Sequence, residues 1–151
     1  RTLGATGWPV PEAAPFAAAA GPEEIEVAVC GAHMSGLPLN GELTRLGGRF
    51  LRAALTTPAY RLYALAGGPP RRPGMVRSPD GGAIALEVWA LPSAAFGAFI
   101  AGVPAPLSIG TVELADGTRP KGFLCEPAGV LGAKDVTWLG DWRRVIAELA
   151  A

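Results

Sequence analysis

Short runs in which apolar residues alternate with other residues recur along the chain from residue 24 onward, and they predict strands. The first run alternates Ile25, Val27 and Val29 before Cys30, which indicates a buried first strand. Further strands are predicted at 49–55, 60–65, 75–77 and 83–91, and in two segments within 109–126. The last two segments flank Asp116-Gly117, a pair that favours a hairpin turn because glycine accepts a positive φ at little cost.

Helical spacing of apolar residues predicts three helices around these strands. Asn40 is the predicted N-cap of a short helix that ends at Gly47-Gly48. A second helix is predicted after Pro92 and a third after Asp141. The aromatic residues expected in the core are Phe96, Phe99, Trp138 and Trp142. Six or seven short strands with a few peripheral helices predict an α+β fold with a mainly antiparallel, barrel-like sheet.

Composition narrows the class of protein. The 151 residues suffice for one domain with its own core. Thirteen basic residues balance thirteen acidic ones, so no net charge favours nucleic acid or an anionic membrane as a partner. No apolar run reaches the roughly 20 residues that cross a bilayer, and no secretion signal is evident. Cys30 and Cys125 both lie in apolar runs, which indicates buried free thiols in a reducing compartment. We therefore expect a cytoplasmic protein.

Two features suggest that the domain packs against other protein. Only 17% of the residues are charged, which indicates apolar surface covered by another domain or subunit. Residues 1–22 are rich in Pro, Ala and Gly without sustained periodicity, as expected of a linker or arm. We predict that residues 23–151 form the folded domain.

The one histidine of the chain, His33, lies in a glycine-rich loop directly after the first strand. An imidazole titrates near neutral pH, so it can act as an acid or base. The alternative is a structural histidine bonded to its own loop. Gly31 and Gly36 allow the N–H groups around Gly31 and Ala32 to converge on an anion, with Ser35 and Asn40 nearby, although an ordinary tight loop is equally consistent with the sequence.

Several other side chains are candidates for holding a substrate carboxylate or supporting the histidine. The basic candidates are Lys121, which we favour, and Arg45, Arg52 and Arg61. Tyr63 offers a hydroxyl donor, and Glu87 can orient His33 or pair with an arginine. Ser35 and Cys30 have no recognisable Ser/Cys–His–Asp arrangement around them. One histidine and two distant cysteines give no metal-ligand spacing, so no metal and no cofactor is expected.

Five blocks, in this order, resemble the C-terminal domain of allophanate hydrolases. They are VAVCGAHMSGLPLN at 27–40, TPAYRLYAL at 57–65, LEVWALP at 86–92, PAPLSIGTVEL at 104–114 and DGTRPKGFLCE at 116–126. The segment LGATGWP at 3–9 is similar to the join that follows the amidase domain of these enzymes. The resemblance covers nearly the whole chain.

This resemblance implies a γ-glutamyl cyclotransferase-like fold and a part in urea degradation. An amidase domain, from which residues 1–22 lead, removes ammonia from allophanate. The C-terminal domain then promotes the decarboxylation of N-carboxycarbamate, a small dicarboxylate, with His33 as its catalytic residue. The implied partners are that amidase domain and, in the full-length enzyme, further copies of the same chain.

Two other functions stay open. The first is a non-catalytic domain that scaffolds the amidase and sets its oligomeric state. The second is a cyclotransferase or amine-transfer activity. The cyclotransferases need a glutamate whose expected place is near 101–106, where this chain has no carboxylate. The resemblance to that superfamily therefore implies its fold and disfavours its reaction.

Overall fold

A computed structural model describes residues 19–150, so most of the predicted arm at 1–22 lies outside the described residues. Within 19–150 the strands are β1 (Glu24–Val29), β2 (Arg49–Leu55), β3 (Tyr60–Ala64), β4 (Pro73–Arg77), β5 (Ala85–Pro92), β6 (Leu107–Thr111), β7 (Lys121–Cys125) and β8 (Lys134–Asp135). The helices are α1 (Asn40–Arg45), α2 (Ser93–Ala101) and α3 (Trp142–Ala150). Two 3-10 turns span Pro127–Val130 and Thr137–Leu139.

The strands form two sheets. The larger has the order β2-β5-β1-β7-β6, and the smaller has the order β4-β3-β8. The pair β1–β7 is parallel, whereas the other strand pairs are antiparallel. The predicted α+β class with a mainly antiparallel sheet is therefore confirmed. The sheet is not a closed barrel, because β2 and the segment after β6 form no ladder: they are joined by the isolated bridge Thr56–Leu114 and by single hydrogen bonds beside it, such as that from the N–H of Ala115 to the carbonyl of Leu55.

Strands that follow one another along the chain do not always pair with each other. The strands at 49–55 and 60–65, predicted as consecutive, belong to different sheets, as do those at 75–77 and 83–91. β5 is buried from Leu86 to Leu91, so it occupies an interior position of the large sheet between β2 and β1. β4 instead pairs with β3, which places its first residues beside the end of β1. This arrangement forms the walls of the site described below.

The core lies around strands β1 and β5 of the large sheet and takes in Phe99 and Trp142, as expected. Phe96 packs partly against it. The prediction for Trp138 is wrong, because its side chain is 69% exposed. Trp138 lies in the second 3-10 turn, where its neighbour Leu139 takes the inward position. Cys30 and Cys125 are both buried free thiols, as predicted.

Candidate functional site

A cleft lies beside the end of β1. Its walls come from the loop that follows β1, from the start of β4 and β6, and from the middle of β7. The residues that line it are Cys30, Gly31, Ala32, His33, Leu39, Arg72, Pro73, Leu107 and Phe123. The single histidine of the chain therefore lies in a concave site, as an acid or base must if it is to meet a substrate.

His33 is 7% exposed and is fixed on three sides. Its ring stacks on Phe123 with centroids 4.9 Å apart and meets Phe99 edge-on at 5.5 Å. Nε2 lies 2.8 Å from Oε1 of Glu42, the second residue after Asn40 in α1. A carboxylate accepts hydrogen bonds, so the neutral ring carries its proton on Nε2 and a lone pair on Nδ1. Sequence reasoning offered Glu87 as the partner of His33 and missed Glu42.

Electrostatics favour a neutral His33 at neutral pH. Burial lowers its pKa below the ordinary value of 6.5. The hydrogen bond and negative charge of Glu42 raise the pKa, and the positive charge of Arg72 lowers it again. The sum leaves the pKa lowered, so the ring is neutral at neutral pH and has a lone pair that can accept a proton.

Two substitutions should shift the pKa of His33 in opposite directions. Glu42→Gln removes the group that favours the imidazolium, so the pKa should fall. Arg72→Ala removes a repelling charge, so the pKa should rise. Titration of the imidazole resonances by NMR measures both shifts without overlap, because His33 is the only histidine. A shift of the same sign in both variants would contradict the described geometry.

The lowered pKa also makes folding depend on pH. The unfolded chain takes up the His33 proton at a higher pH than the folded chain does, so acidification favours unfolding. We expect the free energy of unfolding to fall as the pH drops through about 6.5 and to lose this dependence below the folded pKa. His33→Asn should lack this contribution. Urea unfolding of both chains at several pH values tests this prediction. A difference in free energy of unfolding between wild type and His33→Asn that stays the same at every pH would contradict it.

The loop from 31 to 40 carries free donors next to His33. Four backbone N–H groups donate to carbonyls within the loop, namely those of Met34, Leu37, Leu39 and Asn40. Within residues 19–150, the N–H groups of Gly31, Ala32 and His33 have no acceptor. Three consecutive unpaired donors on residues that line a cleft suit a bound carboxylate.

The loop is also closely packed. A Cβ on Gly31 would lie 2.4 Å from the ring of Pro73, so only glycine allows β4 to approach here. The prediction that Asn40 caps α1 is wrong, because Leu39 precedes the helix and no side chain caps it. Asn40 instead donates from Nδ2 to the carbonyl of His33 at 2.9 Å. It therefore holds the histidine backbone in place.

Arg72 is the cation of the cleft, and the sequence interpretation missed it. It precedes β4 in a proline- and glycine-rich stretch whose fold local pattern does not reveal. Its backbone carbonyl accepts from the N–H of Leu65, which fixes the loop, and its side chain lines the cleft. The only signal in the sequence is an Arg-Arg-Pro run at the start of a strand.

The other cations named from the sequence lie outside the cleft lining. Arg52 pairs with Glu26 at 3.1 Å, and Arg61 pairs with Asp135 at 2.7 Å. Lys121 is exposed at the start of β7 and donates to Thr111. Arg45 is exposed on α1, and Tyr63 lies on β3 opposite Gly74. The structure does not bring any of these five side chains into the lining of the His33 cleft.

Ser35 and Glu87 do not line the cleft. Their hydrogen bonds, together with those of Arg143, hold the 31–40 loop against β5 and α3, and we call this group the clamp. Oε1 of Glu87 accepts from the N–H of Ser35 at 2.8 Å, from its hydroxyl at 2.9 Å and from Nε1 of Trp89 at 3.0 Å. Arg143 of α3 donates to Oε2 of Glu87 and to the carbonyl of Ser35. Burial raises the pKa of Glu87, but these hydrogen bonds outweigh it and leave the pKa lowered.

Glu87→Gln should destabilise the fold by about 1–3 kcal/mol, because an amide has one acceptor atom where the buried carboxylate accepts from four donors. Urea unfolding measures the loss. Glu148→Gln, on the exposed part of α3, is the matched control and should leave stability unchanged. Equal stability of the two variants would show that the clamp does not hold the loop.

Thiol, metal and membrane functions gain no support from the described residues. Burial raises the pKa of Cys30 to about 12, so its thiol lines the cleft without being a nucleophile. Residues 19–150 contain no cluster of three His, Cys, Asp or Glu side chains that could hold a metal ion. None of the helices in this part of the chain is long and apolar enough to span a bilayer.

Comparison with known proteins places this fold and cleft in a family. The family model "Allophanate hydrolase C-terminal domain" matches residues 25–147. The urea amidolyase of Saccharomyces cerevisiae is 44% identical over 124 residues, which are 79% of this chain and 7% of that protein. A structure of Kluyveromyces lactis allophanate hydrolase has a TM-score of 0.81 at 41% identity, covering 83% of this chain and 21% of that one.

Two further solved structures are similar to this chain. The uropathogenic E. coli-specific protein c4763 has a TM-score of 0.76 at 38% identity, and the match covers 82% of this chain and 96% of that one. A γ-glutamyl cyclotransferase has a TM-score of 0.53 at 12% identity over 75% of this chain and 70% of that one, which shows the shared fold alone.

The chain thus spans only a small part of the urea amidolyase and of the allophanate hydrolase that it matches. Its match to c4763 extends over nearly all of that solved chain. The matched region includes the His33 loop, Arg72 and the β7 segment that carries Phe123. This chain belongs to the allophanate hydrolase C-terminal domain family.

Proposed function

We propose that this domain promotes the decarboxylation of N-carboxycarbamate, the dicarboxylate that an allophanate amidase releases. The observation that carries the proposal is the position of His33, which lies in a cleft with Arg72 and with three unpaired backbone N–H groups. An anion with two carboxylates fits this set of donors, because the guanidinium can hold one carboxylate and the loop N–H groups the other. Leu39, Leu107 and Phe123 supply the apolar remainder of the walls.

The chemistry needs a proton at nitrogen. The C–N bond to one carboxylate breaks, carbon dioxide leaves, and the electron pair of that bond stays on nitrogen and takes up the proton. The remaining product is carbamate, which breaks down to ammonia and a second carbon dioxide. No redox step occurs, so the proposed reaction requires only the side chains of the cleft and no cofactor.

His33 suits the role of proton donor once the substrate has bound. In the empty cleft its lowered pKa keeps the ring neutral. Two negative charges beside the ring favour the imidazolium, so binding raises the pKa and the ring takes up a proton at Nδ1. Glu42 holds the opposite edge of the ring at 2.8 Å and fixes its orientation. The protonated ring can then donate to the nitrogen as the C–N bond breaks.

In the full-length enzyme the domain would work beside the amidase domain of the same polypeptide, and we expect that enzyme to be a homo-oligomer in the cytoplasm. The test combines the 151-residue chain with an allophanate amidase that lacks this domain and follows the decay of the intermediate. A decay faster than in amidase alone supports the proposal. An unchanged decay contradicts it.

A packing role toward the amidase is the second candidate, and exposed apolar side chains favour it. Leu131 and Trp138 are both largely exposed, and Phe50 and Leu55 on the edge strand β2 are about half exposed. If packing is the main role, adding the chain should change the thermal stability or assembly of the amidase and leave the lifetime of the intermediate as it was. Light scattering and thermal unfolding of the mixture distinguish the two functions.

A further inference from the structure

Ser35, two residues after His33, has all of its polar groups bonded within the clamp. Its N–H and its hydroxyl donate to Oε1 of Glu87 on β5 at 2.8 and 2.9 Å. Its carbonyl accepts from Nη2 of Arg143 on α3 at 2.9 Å. The same Nη2 donates to Oε2 of Glu87 at 3.0 Å, so one guanidinium holds both the loop and the carboxylate. The clamp therefore fixes both the N–H and the C=O of Ser35.

The direction of the free N–H groups at 31–33 depends on the backbone next to Ser35. The N–H of Met34 donates to the carbonyl of Gly31 at 3.0 Å. Across a trans peptide, the C=O of one residue and the N–H of the next point in opposite directions. This bond therefore turns the N–H of Ala32 away from the interior of the loop. Met34 directly precedes Ser35, so a shift of Ser35 moves the donor that keeps Ala32 in this orientation.

Arg143 acts on the loop from outside the cleft. It does not belong to the lining of the cleft, so it does not contact a ligand there. It lies at the start of α3, where the neighbouring side chains of Trp142 and Val145 are each 1% exposed and pack in the core. The side chain of Arg143 is itself 41% exposed. Its replacement therefore removes two hydrogen bonds without opening a cavity in the core.

The imidazole of His33 has supports of its own. Its ring contacts Phe99 and Phe123, and Nε2 bonds to Glu42. None of these three residues belongs to the clamp. Loss of the clamp should therefore displace the N–H donors of the loop more than it displaces the ring.

We propose that Arg143 is a positioning residue for the dianion. Through Ser35 it sets the backbone whose N–H groups bind one carboxylate, while the ligand itself meets only the loop, Arg72 and His33. This inference rests on the proposed function, because it takes the same dianion as the ligand. It makes the affinity of the cleft depend on a side chain of the last helix, 108 residues further along the chain than Ser35.

The test uses malonate, a stable analogue in which a methylene group replaces the nitrogen of N-carboxycarbamate. Arg143→Ala should raise the Kd of malonate about tenfold, because misplaced donors bind a carboxylate less well. The KM for decarboxylation should rise by the same factor while kcat stays within about twofold, since these donors hold the ligand before and during the reaction. Calorimetry gives Kd, and carbon dioxide release beside an amidase that lacks this domain gives KM and kcat.

Three further variants make the measurement specific. Arg143→Lys keeps the charge and can reach one acceptor in place of two, so it should recover part of the affinity. Arg143→Gln removes the charge but keeps a polar side chain, and it carries the test if Arg143→Ala does not fold. Arg119→Ala is the matched control, because Arg119 is 70% exposed and pairs with Glu113 at 3.6 Å, away from the loop. The control should bind malonate as the wild type does.

Backbone NMR of the same titrations separates positioning from a general effect on stability. Malonate should shift the N–H resonances of residues 31–33 in the wild type and shift them less in a folded Arg143→Ala chain. A Kd and N–H shifts equal to those of the wild type would overturn the inference and leave the proposed function standing. A fall in kcat at unchanged KM would also overturn it, because the clamp would then act on His33 instead of the donors. If malonate does not bind the wild-type chain, the proposed function fails and this inference fails with it.

Discussion

Replacing His33 with alanine is expected to reduce the domain's acceleration of N-carboxycarbamate decay by roughly 10²–10⁴-fold, the usual contribution of a positioned acid or base. The reason is that the imidazole is the one group in the described lining that exchanges a proton near neutral pH. The other polar groups of the cleft are a guanidinium, backbone amides and a thiol with a pKa of about 12. The rate is measured as carbon dioxide release in the presence of an amidase that lacks this domain.

The controls separate chemistry from folding. His33→Ala removes a ring that stacks on Phe123, so its unfolding curve must be compared with that of the wild type. His33→Asn preserves a polar group and should lose activity to the same extent. Glu42→Gln keeps the ring but loses the carboxylate that orients it, so we expect a smaller loss, on the order of tenfold. A fully folded His33→Asn chain that retained wild-type activity would remove the histidine from the mechanism.

The second large effect is expected from Arg72→Ala, which should lower kcat/KM roughly 10- to 100-fold. The loss corresponds to a charge-assisted hydrogen bond to a substrate carboxylate. It should fall mainly on KM and on the Kd of malonate, because the guanidinium contacts a carboxylate in the ground state as well as during the reaction. Steady-state kinetics together with malonate calorimetry measure both quantities.

Lys121→Ala is the matched comparison, because sequence reasoning favoured that residue as the carboxylate ligand. Its Nζ is exposed and donates to Thr111, outside the lining of the cleft, so we expect no change in KM. Arg72→Lys keeps the charge without the bidentate geometry and should recover part of the affinity. If Lys121→Ala raises KM and Arg72→Ala does not, the ligand binds elsewhere than the cleft described here.

Much of the fold could be predicted from the pattern of apolar residues. The alternation around Val27 and Val29, the Asp116-Gly117 turn and the helix after Asp141 all have local causes. The pairing of strands has no local cause. Nothing near 60–65 indicates that this strand leaves the large sheet to pair with β4, because that choice depends on which strands need burial on both faces. The short strand β8 gave no pattern at all.

Part of the site could likewise be predicted from the sequence, and part of it depends on the fold. His33 and its glycine-rich loop could be found because a single histidine after a buried strand is visible in the sequence. Its two electrostatic partners could not, because the fold alone brings Glu42 and Arg72 to it. For Glu87 the kind of partner could be predicted but not the residue. Its pairing with an arginine was expected, but the arginine is Arg143, more than fifty residues away on the last helix.

The central claim is that the cleft around His33 shortens the lifetime of N-carboxycarbamate, and direct observation of that intermediate tests it best. Allophanate labelled with ¹³C is treated with an amidase that lacks this domain, and the carboxylate signals of the intermediate are followed with increasing amounts of the 151-residue chain. We predict a decay rate that rises in proportion to the wild-type chain and does not rise with His33→Asn. A decay rate that is the same with either chain as in buffer would contradict the account.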